Sequence, residues 1–184
     1  MRRFVNPGNT AFEVAVNSQI YVDKTGLLAY TNSVINTKQA LICSSRPRRF
    51  GKSITADMLC AYYSRGCDSD SIFASYEIAK SDSYKKHLNQ YDVIYLDIQW
   101  CMMDAGSAEQ TVSYLNYHVI EELKEIYPQI LLDGIRTAYG AMSCINAQTG
   151  VKFIVIIDEW DVLIRDEAAN EAVLQDYINF LRGM

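Results

Sequence analysis

Residues 46–53 of this 184-residue chain carry the chemistry that is easiest to recognise, and they read Arg-Pro-Arg-Arg-Phe-Gly-Lys-Ser. Gly51, Lys52 and Ser53 match the end of the phosphate-loop pattern G-x-x-x-x-G-K-[ST], although Arg46 stands where the first glycine is expected. In such a loop backbone N–H groups bind phosphate oxygens, the lysine reaches the outer phosphates and the hydroxyl ligates Mg²⁺. The tripeptide alone is also an ordinary helix start, so it needs support from elsewhere in the chain.

A second stretch supplies that support. An apolar run, Phe153 to Ile157, leads directly into Asp158 and Glu159. A carboxylate at the end of a buried strand can hold Mg²⁺, often through water, and a neighbouring glutamate can act as a general base on an attacking water. Each motif is weak on its own, because a strand followed by an acidic turn is common. Together they predict a Mg²⁺-nucleotide site.

The elements that must position these motifs follow from apolar patterning. Short apolar runs predict strands at 39–44, 91–98 and 151–157. Helical spacing or flanking signals predict helices over 27–35, 51–63, 71–79, 83–89, 108–127, 130–145 and 168–181, and 12–16 and 20–22 are predicted as short extended pieces. Strands that alternate with helices predict an α/β fold with a parallel sheet and helices on both faces.

Composition excludes several classes of protein. Twenty-two acidic against 17 basic residues give a net charge of −5, so there is no overall attraction to nucleic acid or to anionic membrane. The five cysteines form no C-x-x-C pair and there are only two histidines, so no zinc cluster is predicted. No apolar run approaches the ~20 residues that span a bilayer. These features predict a cytoplasmic protein with reduced thiols and no membrane contact.

Three further features have two interpretations each. Asp23 and Lys24, beside Thr25, fit either a helix cap or a functional site. The arginines near Lys52 could contact DNA, but a phosphate loop already has a use for their charge. Glu122-Leu123-Lys124 matches half of a nuclease motif, yet it lies within a predicted helix, which favours a solvated helix face.

The chain resembles a known family in three places: residues 46–53, Tyr21-Val22-Asp23-Lys24-Thr25, and Ile156-Ile157-Asp158-Glu159-Trp160-Asp161. Together they look like the AAA-ATPase-like family of bacterial proteins, in which arginine at the first position of the loop is a family feature. Trp160 is a modest departure, because that position is usually tyrosine. The resemblance implies a three-layer α/β/α P-loop NTPase fold of the additional-strand type, with ATP and Mg²⁺ as cofactors.

The resemblance also implies roles for individual residues. It implies that the nucleotide is bound by Arg46, Pro47, Arg48, Arg49, Phe50, Gly51, Lys52, Ser53 and Ile54. Glu159 and Lys52 are the implied catalytic residues, and Ser53 and Asp158 are the implied metal ligands. Asp23, Lys24 and Asp161 are expected next to the site, without an assigned role.

Family members often carry a nuclease-like domain toward the C-terminus, so DNA is expected as a partner only through such a domain. We expect residues 1–36 to form an N-terminal extension packed on a partial P-loop domain, 37–184, that stops before the sensor strand. We expect such a fragment to be weakly stable and to hydrolyse ATP slowly or not at all, because its sheet would have unpaired edges. Two classes stay open, an ATP-hydrolysing enzyme and a nucleotide-binding switch or assembly module with little turnover, and self-association is compatible with both.

Overall fold

A computed structural model describes residues 3–44, 50–166 and 169–184 of the chain. The described residues form two compact units. The first is Asn6–Val93, and the second combines residues 3–5 with Ile94–Met184. The predicted boundary between an extension, 1–36, and a partial ATPase domain, 37–184, stays a prediction.

Nine helices, one 3-10 helix and two strands are present within the described residues. In chain order they are α1 (Thr10–Val16), α2 (Gly26–Val34), α3 (Lys52–Tyr63), α4 (Asp70–Phe73), the 3-10 helix (Glu77–Lys80), α5 (Tyr84–His87), β1 (Asp92–Asp97), α6 (Ile98–Ala105), α7 (Ala108–Ile126), α8 (Ala138–Thr149), β2 (Phe153–Asp158) and α9 (Glu171–Gly183). The helix predictions at α2, α3 and α7 and the strand predictions at β1 and β2 are therefore confirmed. None of these helices is long and apolar enough to cross a membrane.

The first unit is helical and has an aromatic core. Phe12 of α1 is fully buried and stacks on Phe73, with ring centroids 5.1 Å apart. Tyr62 and Tyr63 at the end of α3 are also buried, and their hydroxyls bond with Asn32 of α2. These contacts fix α1 and α2 against α3, the helix that follows the loop.

The second unit contains the sheet. β1 and β2 are parallel neighbours, and Val5 forms an isolated antiparallel bridge with Ile94 of β1. The long helix α7 packs against α6, α8 and α9, and buries Leu115, Val119 and Leu123 in the core. This is the mixed α/β architecture that strand and helix alternation predicts; its three-layer P-loop form remains a prediction.

The strand predicted at 39–44 is wrong. Residues 40–44 have no regular secondary structure, and the side chain of Leu41 is 91% exposed. Apolar residues favour a strand only where a neighbouring strand accepts the backbone hydrogen bonds. β1 and β2 pair with each other, and the apolar run alone could not establish a partner for 39–44.

Other segments differ from prediction for local reasons. Residues 12–16 are helical rather than extended: α1 buries Phe12, and the N–H of Glu13 donates to the Asn9 carbonyl at 3.0 Å. Residues 20–22 are not a strand either. Residues 130–137 are irregular, because Gly134 adopts a turn with φ +80° and Thr137 caps α8 by accepting a hydrogen bond from the N–H of Gly140. Helix α6, which was not predicted, begins at the Asp97 cap and ends before Gly106.

Candidate functional site

The loop that opens α3 lies in the first unit. Arg46, Pro47, Arg48 and Arg49 lie outside the described residues, whereas Phe50 to Ile54 are described and Phe50 is exposed. Gly51 precedes the helix in the left-handed conformation, with φ 72° and ψ 37°. A glycine adopts this conformation without the steric cost that a side chain would add. The turn therefore explains in physical terms why glycine precedes Lys52.

The first turn of α3 offers backbone donors. The first N–H groups of a helix have no partner within it, and the helix dipole gives them a partial positive charge. Gly51, at the N-cap, has no side chain that could cap α3, and Ser53 and Ile54 are exposed while Lys52 is half-buried. Lys52, Ser53 and Ile54 thus present N–H groups, an ammonium and a hydroxyl, which are the donors that a phosphate chain requires.

Asp23 and Thr25 fix the segment before α2 to the 3-10 helix. The Asp23 carboxylate accepts hydrogen bonds from the N–H groups of Thr25, at 2.7 Å, and Glu77, at 3.0 Å. Burial alone would raise the pKa of Asp23, but these backbone hydrogen bonds leave it below its ordinary value. The Thr25 hydroxyl, which is fully buried, accepts from the N–H of Ile78 at 3.2 Å instead of capping α2.

Lys24 lies between these two anchors and reaches the loop. Its ammonium donates to the backbone carbonyl of Phe50 at 2.6 Å. A Cβ placed on Gly51 would lie 2.9 Å from the Lys24 Nζ, so the ammonium packs directly against the turn. The structure thus brings Lys24 to the loop, while Asp23 holds the backbone on which Lys24 is carried.

The acidic turn lies in the second unit, where β2 ends. Asp158 is the last residue of β2, and its side chain is only 6% exposed. Its Oδ1 accepts from the N–H of Glu159 at 3.0 Å, while its buried Oδ2 has no hydrogen-bond partner among the described residues. A buried oxygen without a partner is unfavourable, and it marks a place where a cation or a donor would be stabilised.

Glu159 and Asp161 both pair with the guanidinium of Arg165. The Glu159 carboxylate lies 3.4 Å from the Arg165 guanidinium, which also pairs with Asp161 at 2.9 Å. Glu159 has φ 49°, a conformation that is uncommon for a residue with a long side chain. The turn is held by the N–H of Val162, which donates to the Glu159 carbonyl, and by the Tyr177 hydroxyl, which donates to the Trp160 carbonyl.

A further carboxylate, Asp97, ends the neighbouring strand β1. Its Oδ1 accepts from the N–H of Trp100 and caps α6. Burial raises the pKa of Asp97, and the nearby Asp158 and Glu159 carboxylates add to the shift. Sequence reasoning missed Asp97, although the signal was present: it follows an apolar strand just as Asp158 does. It also missed Arg165, whose spacing of four residues from Asp161 suits a pair on one helical turn.

Two other predictions can be judged from the second unit. Glu122 is not a free solvated residue, because its carboxylate accepts from the backbone N–H groups of Arg3, Phe4 and Val5 at 2.7–2.9 Å. It therefore has a structural role in holding the N-terminal segment. Across the described ranges no three His, Cys, Asp or Glu side chains gather as a metal cluster.

Comparison with protein families identifies the wider group. The family model described as "Predicted AAA-ATPase", of the AAA-ATPase-like family, matches residues 8–184. The chain belongs to the AAA-ATPase-like family. No curated protein and no solved structure gave a match. The resemblance that rests on the loop, on Val22-Asp23-Lys24-Thr25 and on the turn at Asp158 is thus confirmed at the level of the family, and family membership suggests nucleotide binding.

Proposed function

We propose that this AAA-ATPase-like chain binds Mg²⁺-ATP and hydrolyses the bond between its β- and γ-phosphates. The observation that carries the proposal is the buried Oδ2 of Asp158, which lacks a partner among the described residues at the end of a strand. A carboxylate that is buried without compensation costs stability unless a ligand offsets the cost. A divalent cation is such a ligand, and family membership supplies the reason to expect a nucleotide with it.

The chain's own residues take the following roles in this proposal. Lys52 and the N–H groups at the start of α3 bind phosphate oxygens, and Ser53 and Asp158 supply oxygen ligands to Mg²⁺. When bound, Mg²⁺ neutralises charge on the phosphate oxygens. Glu159 accepts a proton from the attacking water as general base.

The remaining loop residues bind around the same phosphates. They are Arg46, Pro47, Arg48, Arg49, Phe50, Gly51 and Ile54. Asp161 orients Arg165 beside Glu159, as its 2.9 Å ion pair with the arginine suggests. Coupling to a nuclease-like domain, DNA contact through it and self-association remain predictions from the resemblance.

Isothermal titration of the chain with ATP and Mg²⁺, together with a phosphate-release assay, tests the proposal. Lys52→Ala should weaken binding by about 10- to 100-fold, since it removes a charge-assisted hydrogen bond worth about 1.5–3 kcal/mol. Glu159→Gln should keep the affinity and abolish turnover. Lys86→Ala, at an exposed lysine of α5, is the matched control. Absence of Mg²⁺-ATP binding, or equal binding by Lys52→Ala, would contradict the proposal.

A nucleotide-binding switch is the second candidate, and one contact favours it. The Glu159 carboxylate lies 3.4 Å from the Arg165 guanidinium, so the carboxylate already has a partner other than an attacking water. If this pair persists with nucleotide bound, the chain binds ATP without appreciable turnover. Tight binding without phosphate release in the wild type, with release appearing in Arg165→Gln, would support the switch. Steady turnover by the wild type would exclude it.

A further inference from the structure

The Lys24 side chain contacts a backbone carbonyl of the loop rather than one of the loop's side chains. Its ammonium donates to the Phe50 carbonyl at 2.6 Å, immediately before the left-handed Gly51. A carbonyl oxygen fixed by an ammonium sets the orientation of its whole peptide plane, because that plane is rigid. The plane between Phe50 and Gly51 in turn directs the chain into the first turn of α3.

The position of Lys24 is itself fixed from both sides. Asp23 uses both carboxylate oxygens, one for the N–H of Thr25 and one for the N–H of Glu77. Thr25 accepts from the N–H of Ile78. The bonds to Glu77 and Ile78 join residues more than 50 positions apart in the sequence, so the backbone around Lys24 is anchored to the 3-10 helix rather than to the loop that it contacts.

We infer that Lys24 is a positioning residue for the phosphate loop, and that it acts by holding the Phe50 carbonyl and the Gly51 turn. Asp23 and Thr25 serve as its anchors. The inference rests on the proposed function, since it assigns Lys24 to the same nucleotide site. The Val-Asp-Lys-Thr segment thereby gains a structural role: it preorganises the N–H groups of Lys52 and Ser53 for phosphate binding.

The first test uses no nucleotide. Hydrogen exchange is measured by mass spectrometry in the wild type and in Lys24→Ala, on peptides that cover residues 55–58. These N–H groups are bonded within α3, beginning with Thr55, whose N–H donates to the Gly51 carbonyl at 3.0 Å. Loss of the carbonyl contact should speed exchange there several-fold, while peptides from α7 stay unchanged. Lys38→Ala, at another exposed lysine of the first unit, should exchange like the wild type. Unchanged exchange at 55–58 in Lys24→Ala would overturn the inference even if the chain binds ATP.

The second test separates positioning from direct phosphate contact. If Lys24 orients the loop, Lys24→Ala should weaken ATP and ADP by the same factor, on the order of tenfold for one charge-assisted hydrogen bond. A loss confined to ATP would instead mean direct contact with the γ-phosphate and would overturn the positioning role. If the wild type binds neither nucleotide, the proposed function fails, whereas the exchange test still decides the role of Lys24 in the loop.

Two further variants test the Asp23 anchor and the coupling between Lys24 and Gly51. Asp23→Asn leaves the side chain with only one carbonyl oxygen, so one of its two backbone hydrogen bonds is lost and the effect should be smaller than that of Lys24→Ala. In a double-mutant cycle, Gly51→Ala places a Cβ 2.9 Å from the Lys24 Nζ and so already displaces the ammonium; adding Lys24→Ala should therefore cost little more affinity. Fully additive losses would show that Lys24 and Gly51 act independently, contrary to the inference.

Discussion

Replacing Asp158 with asparagine should stabilise the nucleotide-free chain while impairing Mg²⁺-ATP binding. The Asp158 side chain is 6% exposed, and its Oδ2 is buried without a partner in the described ranges. Leaving a buried polar group unsatisfied costs about 1–3 kcal/mol, and more when the group is charged. Asparagine keeps one oxygen to accept the N–H of Glu159 and removes the charge that faces Asp97.

The expected gain is about 1–2 kcal/mol in the free energy of unfolding, since the amide is still buried but no longer charged. For a chain of this length that corresponds to a rise in Tm of about 2–8 °C. Calorimetry in EDTA measures it. Asp161→Asn is the matched control: it weakens a half-exposed ion pair with Arg165, so it should leave Tm unchanged or lower it slightly.

The effect should also depend on pH. The pKa of Asp97 is raised in the fold, chiefly by burial and further by Asp158. A carboxyl whose folded pKa is raised contributes stability that is complete below its unfolded value, about 3.9, and is lost as pH rises through the folded value. The advantage of Asp158→Asn should therefore be larger at pH 7 than at pH 4. A lower Tm for Asp158→Asn at pH 7 in EDTA would refute the reasoning.

Three other predictions concern stability and reactivity. Burial raises the pKa of Cys101 to about 12, so at pH 8–9 it stays protonated and should react with iodoacetamide far more slowly than exposed Cys43; equal labelling of the native chain would contradict this. Glu122→Ala should lower the free energy of unfolding by about 2–3 kcal/mol in urea, because three N–H groups of residues 3–5 lose their acceptor, and Glu122→Gln should lose less. Asn32→Ala should cost about 1–3 kcal/mol, since the hydroxyls of two buried tyrosines of α3 lose a partner; an unchanged urea midpoint would count against that network.

Elements that follow from a pattern of neighbouring residues could be predicted from the sequence, whereas contacts between distant residues could not. β2 and α7 were predicted because an apolar run or a period of three to four residues is a property of neighbouring positions. The segment 39–44 has the same apolar character, but a strand also needs a partner, and no local pattern specifies one. The anchor between Asp23 and Glu77 spans 54 positions, so only the folded chain brings the two together.

The candidate site shows the same division. Gly51-Lys52-Ser53 predicted the start of a helix, and α3 begins at Lys52. The role of Lys24 could not be predicted, because its contact is with the carbonyl of Phe50, a group that every residue type carries. Asp97 could have been found, since each of the two confirmed strands runs into an aspartate at its C-terminal end.

The two left-handed residues beside the candidate motifs differ in what they imply. At Gly51 the residue type follows from the backbone, because glycine adopts φ 72° at little cost. At position 159 the backbone argument points the other way: φ 49° costs a non-glycine residue about 1–2 kcal/mol, and asparagine or glycine would satisfy the turn better. The backbone does not explain the glutamate, and its contact with Arg165 is long and half-exposed, so it contributes little to stability. A residue that strains its own turn beside a buried carboxylate fits selection for reaction with a ligand rather than for stability of the fold.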